Sequence, residues 1–199
     1  RNSLYVESQE RGVGIDRPEG TTLVVFFSSS GDEISELDLD WGDYFHGQPE
    51  ALMAVADACR ERPECLFVVR SHPHKRMKPK RDVEDWLEAV EAARPDIHLD
   101  PFSPVDSYAL MRQADVVVTY GSTTGVEAAF AGKPVIVMGP SAYDELGCAT
   151  RVRTAAELGR AIDERKPGEH RGAVAYGLMM KRRGFLHEHV RNGTDGGRS

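Results

Sequence analysis

The 199-residue chain has few cysteines, no excess of positive charge and no long apolar run. Its three cysteines are an odd number without metal-ligand spacing, which excludes a disulfide scaffold and suits a reducing compartment. The net charge of −7 argues against a nucleic-acid groove or a membrane-coating surface, because both need a basic field. The longest apolar stretches, such as Val116–Val118 and Pro134–Met138, are far shorter than the roughly 20 residues of a membrane-spanning helix. We therefore expect a cytoplasmic protein with no nucleic-acid partner and at most a peripheral association with the inner membrane.

The first residues lack the features of a native start and of a secretory leader. The chain begins with Arg1 rather than Met, and the residues that follow contain no apolar segment like that of a signal peptide. We therefore expect a fragment of a longer protein.

Short apolar runs alternate with longer segments of helical spacing, which is typical of a parallel sheet covered by helices on both faces. The pattern predicts a doubly wound, mainly parallel α/β sheet in a single Rossmann-like domain. In such a domain the ligand binds outside the carboxyl ends of the strands. The predicted strands are Leu23–Phe27, Leu66–Val69, Ile97–Leu99, Val116–Tyr120 and Val135–Met138.

Helix signals lie between and after these strands. A hydroxyl cap followed by proline predicts a helix that begins at Ser103, and Thr154 with Glu157 forms a capping-box pattern. Three further predicted helices are Gln48–Glu61, a segment that carries Val83 to Val90, and Arg171–Arg183. Trp86, Met179 and Met180 are predicted to be core or packing residues.

The same signals divide the chain into four parts. Residues 1–20 are predicted to be a linker or an N-terminal extension, and residues 21–165 the Rossmann-like domain. Residues 166–190 contain the C-terminal helix, and residues 191–199 read as a disordered tail. Within the domain, Ser30–Gly47 is predicted to be a long loop or an insertion.

Polar clusters follow three of the predicted strands. They are Ser28–Glu33, Arg70–His74 and Gly121–Gly125. Because the carboxyl ends of parallel strands meet at one edge of a sheet, we expect these clusters to lie together there.

The turn Gly121–Gly125 has the sharpest pattern, Gly-Ser-Thr-Thr-Gly before a helix. Such a turn leaves backbone N–H groups unpaired at the helix start, where a phosphate gains from the donors and from the helix dipole. The hydroxyls of Ser122, Thr123 and Thr124 add further donors. The alternative is that Ser122 or Thr124 merely caps the helix, with Thr124 and Glu127 as a capping box. The turn matches neither the Walker pattern nor Gly-x-Gly-x-x-Gly, so the usual ATPase and nicotinamide enzymes are disfavoured.

Arg70 and His72 lie two residues apart at a strand end, so both can face one side of the sheet edge. Arginine supplies a fixed charge and a bidentate fork for phosphate, and histidine can donate a hydrogen bond to the leaving ester oxygen. The alternative is that this histidine is structural. The basic run His74–Arg81 is interpreted as a solvated loop.

Two further groups have both a functional and a structural interpretation. Glu127 can accept hydrogen bonds from ribose hydroxyls or can complement the helix dipole. Ser28 and Ser29 form either a second anion site or an ordinary loop.

Taken together, these residues resemble the donor-binding half of bacterial capsule-polysaccharide glycosyltransferases. These are GT-B enzymes related to the Kdo transferases and to the sialyltransferases with His-Pro and Ser-Ser/Thr motifs. The resemblance covers about residues 22–162. It rests on His72-Pro73, Tyr120–Ala129, Gly132–Ile136, Phe26–Glu33 and Pro140–Tyr143.

The resemblance implies a nucleotide-sugar site without a metal or another cofactor. His72 and Arg70 would face the phosphate and carry the catalysis, and Glu127 would lie near the ribose or base. Phosphate or ribose would be bound by Gly121, Ser122, Thr123 and Thr124, with Ser28 and Ser29 as further candidates. Basic side chains and helix N-termini would neutralise the phosphate in place of Mg²⁺.

A GT-B enzyme has two domains of comparable size, and only one fits here. The resemblance therefore implies that the saccharide or lipid-linked acceptor meets the donor through a missing N-terminal domain. It also implies that this chain alone binds a nucleotide-activated sugar weakly and transfers nothing. A CMP-Kdo-like sugar is one candidate donor.

Three alternatives remain open at this stage. Two are enzymes: a glycerophosphotransferase that uses CDP-glycerol, and a UDP-GlcNAc 2-epimerase-like domain. The third is a non-catalytic binding module in which the polar strand ends are structural.

Overall fold

The computed structural model describes residues 9–30 and 45–182, apart from the side chain of Arg76. Six parallel strands form one sheet in the order β3-β2-β1-β4-β5-β6. The strands are β1 Thr22–Phe27, β2 Cys65–Arg70, β3 Ile97–Leu99, β4 Val116–Thr119, β5 Val135–Val137 and β6 Thr150–Arg151. The helices are α1 Gln48–Arg60, α2 Lys80–Ala93, α3 Ser107–Gln113, α4 Thr124–Phe130, α5 Ala155–Glu164 and α6 His170–Arg182, and a 3-10 turn covers Pro73–Met77.

Both faces of the sheet are buried. Side chains alternate along β1, so that Val24 and Phe26 face one layer of helices and Leu23 and Val25 face the other. The first layer contains α1, α2 and α5, and the second contains α3, α4 and α6. The apolar runs therefore form a doubly wound Rossmann-like sheet, as predicted.

Five strands lie within one residue of their predicted bounds at each end. The sixth, β6, was not predicted, because its two residues contain no apolar run. Its place is fixed by pairing with β5.

The predicted helix start at Ser103 is wrong. Helix α3 begins at Ser107, and the carboxylate of Asp106 caps it by accepting a hydrogen bond from the Tyr108 N–H at 2.8 Å. The preceding chain is extended because Val105 forms a β-bridge with Glu10. The predicted capping box of Thr154 and Glu157, in contrast, is fully formed at the start of α5.

Two further outcomes concern the termini of the described chain. Met180 is about half exposed, so the prediction that it is a core or packing residue is wrong, whereas Met179 is partly buried. Residues 9–20 lie against α3: the Gly12 N–H bonds to Asp106, and the Ile15 N–H bonds to Gln113. The predicted tail at 191–199 and most of the Ser30–Gly47 segment lie outside the described residues, as do Gly31, Asp32 and Glu33.

The strand order places a ligand-binding position at the centre of the sheet. Phe27 is level with Arg70 on β2 and with Thr119 on β4, so these three strands end together. The chain connections reverse direction between β1 and β4, and the crevice at such a switch point is where ligands bind in open α/β sheets. None of the described helices is long and apolar enough to cross a membrane.

Candidate functional site

The three serines after β1 are buried, and the first two tie the neighbouring elements together. The backbone N–H of His72 donates to the Ser28 hydroxyl at 2.8 Å. The Gln48 side chain makes three bonds to Ser29: it accepts from the Ser29 N–H at 2.9 Å, donates to the hydroxyl at 2.7 Å and donates to the carbonyl at 3.4 Å. Ser28 therefore fixes the exit of the chain from β2, and Ser29 fixes the start of α1.

Tyr120 ties α1 to the end of β4. Its buried hydroxyl donates to the Phe45 carbonyl at 2.7 Å and accepts from the Gly47 N–H at 2.9 Å. Gln48 and the Tyr120 hydroxyl are positioning groups that sequence reasoning missed. The only available signal was that Gln48 and Pro49 open a helix directly after a glycine.

The Arg70 side chain is almost completely buried at the end of β2, with 1% of its surface exposed. Its Nη1 donates to the Asp100 carbonyl at 2.8 Å, and its Nε lies 3.3 Å from the Ser107 hydroxyl. Its Nη2 is buried and has no hydrogen-bond partner among the described residues. Burial lowers the pKa of Arg70 to about 10, opposed by the nearby Asp100 carboxylate, so the group stays charged at neutral pH.

His72 is half-buried and caps the 3-10 turn that follows it. Its Nδ1 accepts a hydrogen bond from the His74 N–H at 3.1 Å, which leaves Nε2 as the protonated nitrogen of the neutral ring. Burial, with smaller contributions from the positive groups of His74 and Lys75, lowers the pKa of His72 to about 4. At neutral pH the ring is therefore uncharged and carries one N–H donor.

The interpretation of His74–Arg81 as a solvated loop is wrong for Lys75. Only 9% of Lys75 is exposed, and its Nζ lies 4.4 Å from the ring centre of Trp86. Trp86 is buried as predicted, and its Nε1 donates to the Ser71 hydroxyl at 2.7 Å. The missed signal was the proline at the start of the 3-10 turn, which directs the chain back over α2.

The turn after β4 is held in a shape that only glycine readily adopts at its first position. Gly121 has φ of 73°, in the left-handed region. The Ser122 hydroxyl is buried and lies 3.4 Å from the Thr124 N–H, at the long limit of a hydrogen bond. Thr123 is exposed at the N-cap position, without a side-chain cap bond. The capping box of Thr124 and Glu127 does not form, because α4 begins at Thr124 rather than after it.

The Tyr143 side chain holds this turn in place, and we call its contacts with the turn the Tyr143 lock. Its buried hydroxyl donates to the Ser122 carbonyl at 2.6 Å and lies 3.2 Å from the Thr119 hydroxyl. A Cβ atom on Gly125 would lie 2.1 Å from the same hydroxyl oxygen, so only glycine fits there. Nearby, the Ser141 hydroxyl is buried and has no partner in the part of the chain that the structure describes.

Replacing Tyr143 with phenylalanine is expected to lower the free energy of unfolding by about 1–2 kcal/mol, because the buried Ser122 carbonyl loses its donor. Urea denaturation measures this loss. Tyr108→Phe is the matched control, since the hydroxyl of that half-exposed tyrosine should contribute less than about 0.5 kcal/mol. Equal losses of unfolding free energy in the two variants would contradict the view that the Tyr143 hydroxyl holds the turn in place.

Glu127 lies at the outer side of the turn. It is exposed, and its Oε1 accepts a hydrogen bond from the Tyr108 hydroxyl at 3.2 Å. Neighbouring groups partly shield the carboxylate from water, which raises the pKa of Glu127, and the Tyr108 bond opposes that effect. Tyr108 links α3 to α4 and was not predicted.

The structure thus places the predicted residues at three adjacent strand ends, with different surroundings. The Arg70 side chain bonds to Asp100 and Ser107 beside α3, whereas the His72 ring caps the 3-10 turn after β2. The described residues contain no group of three or more His, Cys, Asp or Glu side chains that could hold a metal ion.

Much of the chain matches known proteins. Residues 35–174 match a family described as capsule polysaccharide biosynthesis proteins. The chain is 31% identical over 109 residues to the protein FixF of Sinorhizobium fredii, in a match that covers 54% of the chain and 24% of FixF.

The chain is also similar to solved structures. A protein of Listeria monocytogenes assigned as a UDP-N-acetylglucosamine 2-epimerase matches at 16% identity with a TM-score of 0.50, over 86% of this chain and 47% of that one. The β-Kdo 2,7 transferase KpsC of Thermosulfurimonas dismutans matches at 20% identity with a TM-score of 0.44, over 74% and 46%. The chain therefore spans about a quarter of FixF and about half of each solved structure.

Proposed function

Because the chain belongs to the capsule polysaccharide biosynthesis protein family, we propose that it is the donor-binding domain of a glycosyltransferase. The donor is a nucleotide-activated sugar, with a CMP-Kdo-like sugar as one candidate, and the product is a surface polysaccharide. The acceptor, a saccharide or a lipid-linked saccharide, reaches the donor through another domain of a longer protein.

One observation carries the proposal most directly: a buried, charged Arg70 with an unpartnered Nη2 lies at the carboxyl end of β2, next to the central strand β1 that borders the switch point. A buried cationic donor is costly unless an anion completes its bonds. Among the described residues, no carboxylate forms an ion pair with Arg70, and its hydrogen bonds go to a carbonyl and a hydroxyl. The phosphate of a nucleotide supplies the missing negative charge.

His72 complements Arg70 in this proposal. In the transfer step the bond between the anomeric carbon and the phosphate oxygen breaks, and the electron pair stays on the phosphate. The acceptor oxygen forms the new bond, and its proton passes to a base in another domain. The neutral His72 ring donates from Nε2 to the departing phosphate, and the Arg70 guanidinium stabilises its negative charge.

The turn at Gly121–Gly125 binds the same phosphate or the ribose. Gly121 and the Tyr143 hydrogen bond to the Ser122 carbonyl fix the backbone of the turn and its N–H groups, and the exposed Thr123 hydroxyl is a further donor there. Preorganised donors need no rearrangement when negative charge develops on the phosphate, so such a turn can stabilise the transition state of the transfer step. The charge is neutralised by these groups, so the proposal needs no metal ion.

Calorimetric titration of the chain with CMP, CDP and UDP tests the proposal. We expect weak binding of at least one nucleotide and a loss of about tenfold or more in affinity for His72→Ala, since one hydrogen bond to a charged phosphate is removed. His170→Ala is the control, because His170 is exposed on α6.

The preferred nucleotide separates the enzyme classes. CMP favours a ulosonic-acid donor, CDP favours a glycerophosphotransferase, and UDP favours an epimerase-like site. Absence of binding by all three would overturn the proposal in favour of a non-catalytic module. Detectable glycosyl transfer by the 199-residue chain would contradict the proposed need for another domain.

A further inference from the structure

Both hydrogen bonds that Arg70 makes among the described residues end on the chain that connects β3 to α3. The Asp100 carbonyl, which accepts from Nη1 at 2.8 Å, directly follows β3. The Ser107 hydroxyl, which accepts from Nε at 3.3 Å, belongs to the first residue of α3. A guanidinium is planar and rigid, so bonds from two of its nitrogens fix the direction of the third. The connection from Asp100 to Ser107 therefore determines where the unpartnered Nη2 points.

The backbone of this connection is held from outside by residues 9–13. The Glu10 N–H donates to the Pro104 carbonyl at 2.8 Å. The Asp106 N–H donates to the Val13 carbonyl at 2.9 Å. A segment that is distant in the chain therefore sets the shape of the connection between β3 and α3.

Gln9 links this segment to Arg70 through a single residue. Its Oε1 accepts a hydrogen bond from the Ser107 N–H at 2.8 Å. The first N–H groups of a helix have no partner within the helix, and the capping carboxylate of Asp106 bonds to the next residue, Tyr108. Gln9 therefore fixes the residue whose hydroxyl bonds to Arg70.

We propose that Ser107 and Gln9 are positioning residues of the donor site. Ser107 aims the Nη2 of Arg70 at the donor phosphate, and Gln9 holds Ser107 in place. The inference rests on the proposed function, in which Arg70 binds that phosphate. Residues 9–13 belong to the part of the chain predicted to be a linker or an N-terminal extension, and through Ser107 they control the affinity for phosphate.

Two glutamines hold residues 9–15 against α3 and provide a matched pair of variants. Gln9 bonds to Ser107 at the start of α3, whereas Gln113 bonds to the Ile15 N–H at 3.1 Å and to the Ile15 carbonyl at 3.2 Å at the end of α3. Calorimetry measures the affinity for whichever of CMP, CDP and UDP binds most tightly to the wild-type chain. We expect Ser107→Ala and Gln9→Ala to lower this affinity about fivefold, because the bond from Nη2 to the phosphate becomes misaligned. Gln113→Ala should lower it by less than about twofold, whereas a general loosening of the segment would affect both glutamine variants alike.

Two further measurements separate the aiming of Arg70 from a loss of structure. Ser107→Thr keeps the hydroxyl and should retain the wild-type affinity within about twofold. The NMR signal of the Arg70 Nε–H, recorded without ligand, reports the bond to Ser107 directly. This signal should shift or broaden in Ser107→Ala and Gln9→Ala and stay unchanged in Gln113→Ala.

The outcomes distinguish this inference from the proposed function. If the wild-type chain binds none of the three nucleotides, the proposed function is overturned, and the positioning role falls with it. If a nucleotide binds but Ser107→Ala or Gln9→Ala lowers its affinity no more than Gln113→Ala does, only the positioning role is overturned. An unchanged Arg70 signal in either variant, or a loss of affinity in Ser107→Thr as large as in Ser107→Ala, would also overturn it.

Discussion

Replacing Gly125 with alanine is expected to destabilise the protein by about 3–5 kcal/mol. The added Cβ would lie 2.1 Å from the Tyr143 hydroxyl oxygen and 3.0 Å from the Thr119 hydroxyl. Tyr143 is buried and bonded at both positions, so it can move only by breaking those bonds. Overpacking costs about 1–3 kcal/mol, and leaving buried polar groups without partners adds a comparable amount. Urea denaturation followed by circular dichroism measures the loss.

Gly177→Ala provides a matched control with the opposite sign. Gly177 also lies in a helix, but nothing lies within 4 Å of an added Cβ there. Alanine is the better helix former, so this variant should gain about 0.5–1 kcal/mol. Adding Tyr143→Phe to Gly125→Ala should recover part of the loss, because the closest clashing atom is removed. A loss for Gly125→Ala no larger than about 1 kcal/mol would contradict the lock.

The lock illustrates which part of the site the sequence could reveal. The Gly-Ser-Thr-Thr-Gly pattern was visible because a turn uses neighbouring residues. Its support by Tyr143 depends on a contact between residues on either side of β5, and no local pattern predicts that. The resemblance to capsule-polysaccharide proteins is confirmed by the family match, which covers this region. The roles of the individual residues stay predictions.

The strands were predictable for a simple physical reason. A sheet buried on both faces needs apolar side chains at consecutive positions, and β1 and β4 consist almost entirely of them. Strand β6 has a threonine and an arginine instead, and only its pairing with β5 makes it a strand. The predicted start of α3 at Ser103 was wrong because the bridge between Glu10 and Val105 overrides a good local cap signal.

Burial of charge was the hardest property to predict. Charged residues are mostly exposed, so a run of basic residues favours a solvated loop. Lys75 departs from that rule because the 3-10 turn after His72 places it against Trp86. Arg70 was expected at the site, but its complete burial and its unpartnered Nη2 depend on α3.

The largest pH effect is expected from His72. Its pKa is about 4 in the folded protein, against about 6.5 for an unperturbed histidine. Between these values the unfolded chain binds a proton that the folded chain does not, so stability falls as the pH falls. The contribution of the uncharged His72 ring to the free energy of unfolding is complete above pH 6.5 and is lost as the pH falls toward 4. Each pKa unit corresponds to about 1.4 kcal/mol, so between pH 7.5 and 4.5 the loss is about 2.5 kcal/mol.

His72→Asn isolates this contribution from those of other groups. The asparagine Oδ1 stands at the position of Nδ1 and can accept the hydrogen bond from the His74 N–H, but the side chain does not titrate. His98, whose pKa is also lowered by burial, contributes in both proteins and cancels in the comparison. The free energy of unfolding, measured in urea at pH 7.5 and 4.5, should fall about 2.5 kcal/mol further in the wild-type chain than in the variant. The same pH dependence in both proteins would mean that burial does not lower the pKa of His72 in the folded protein.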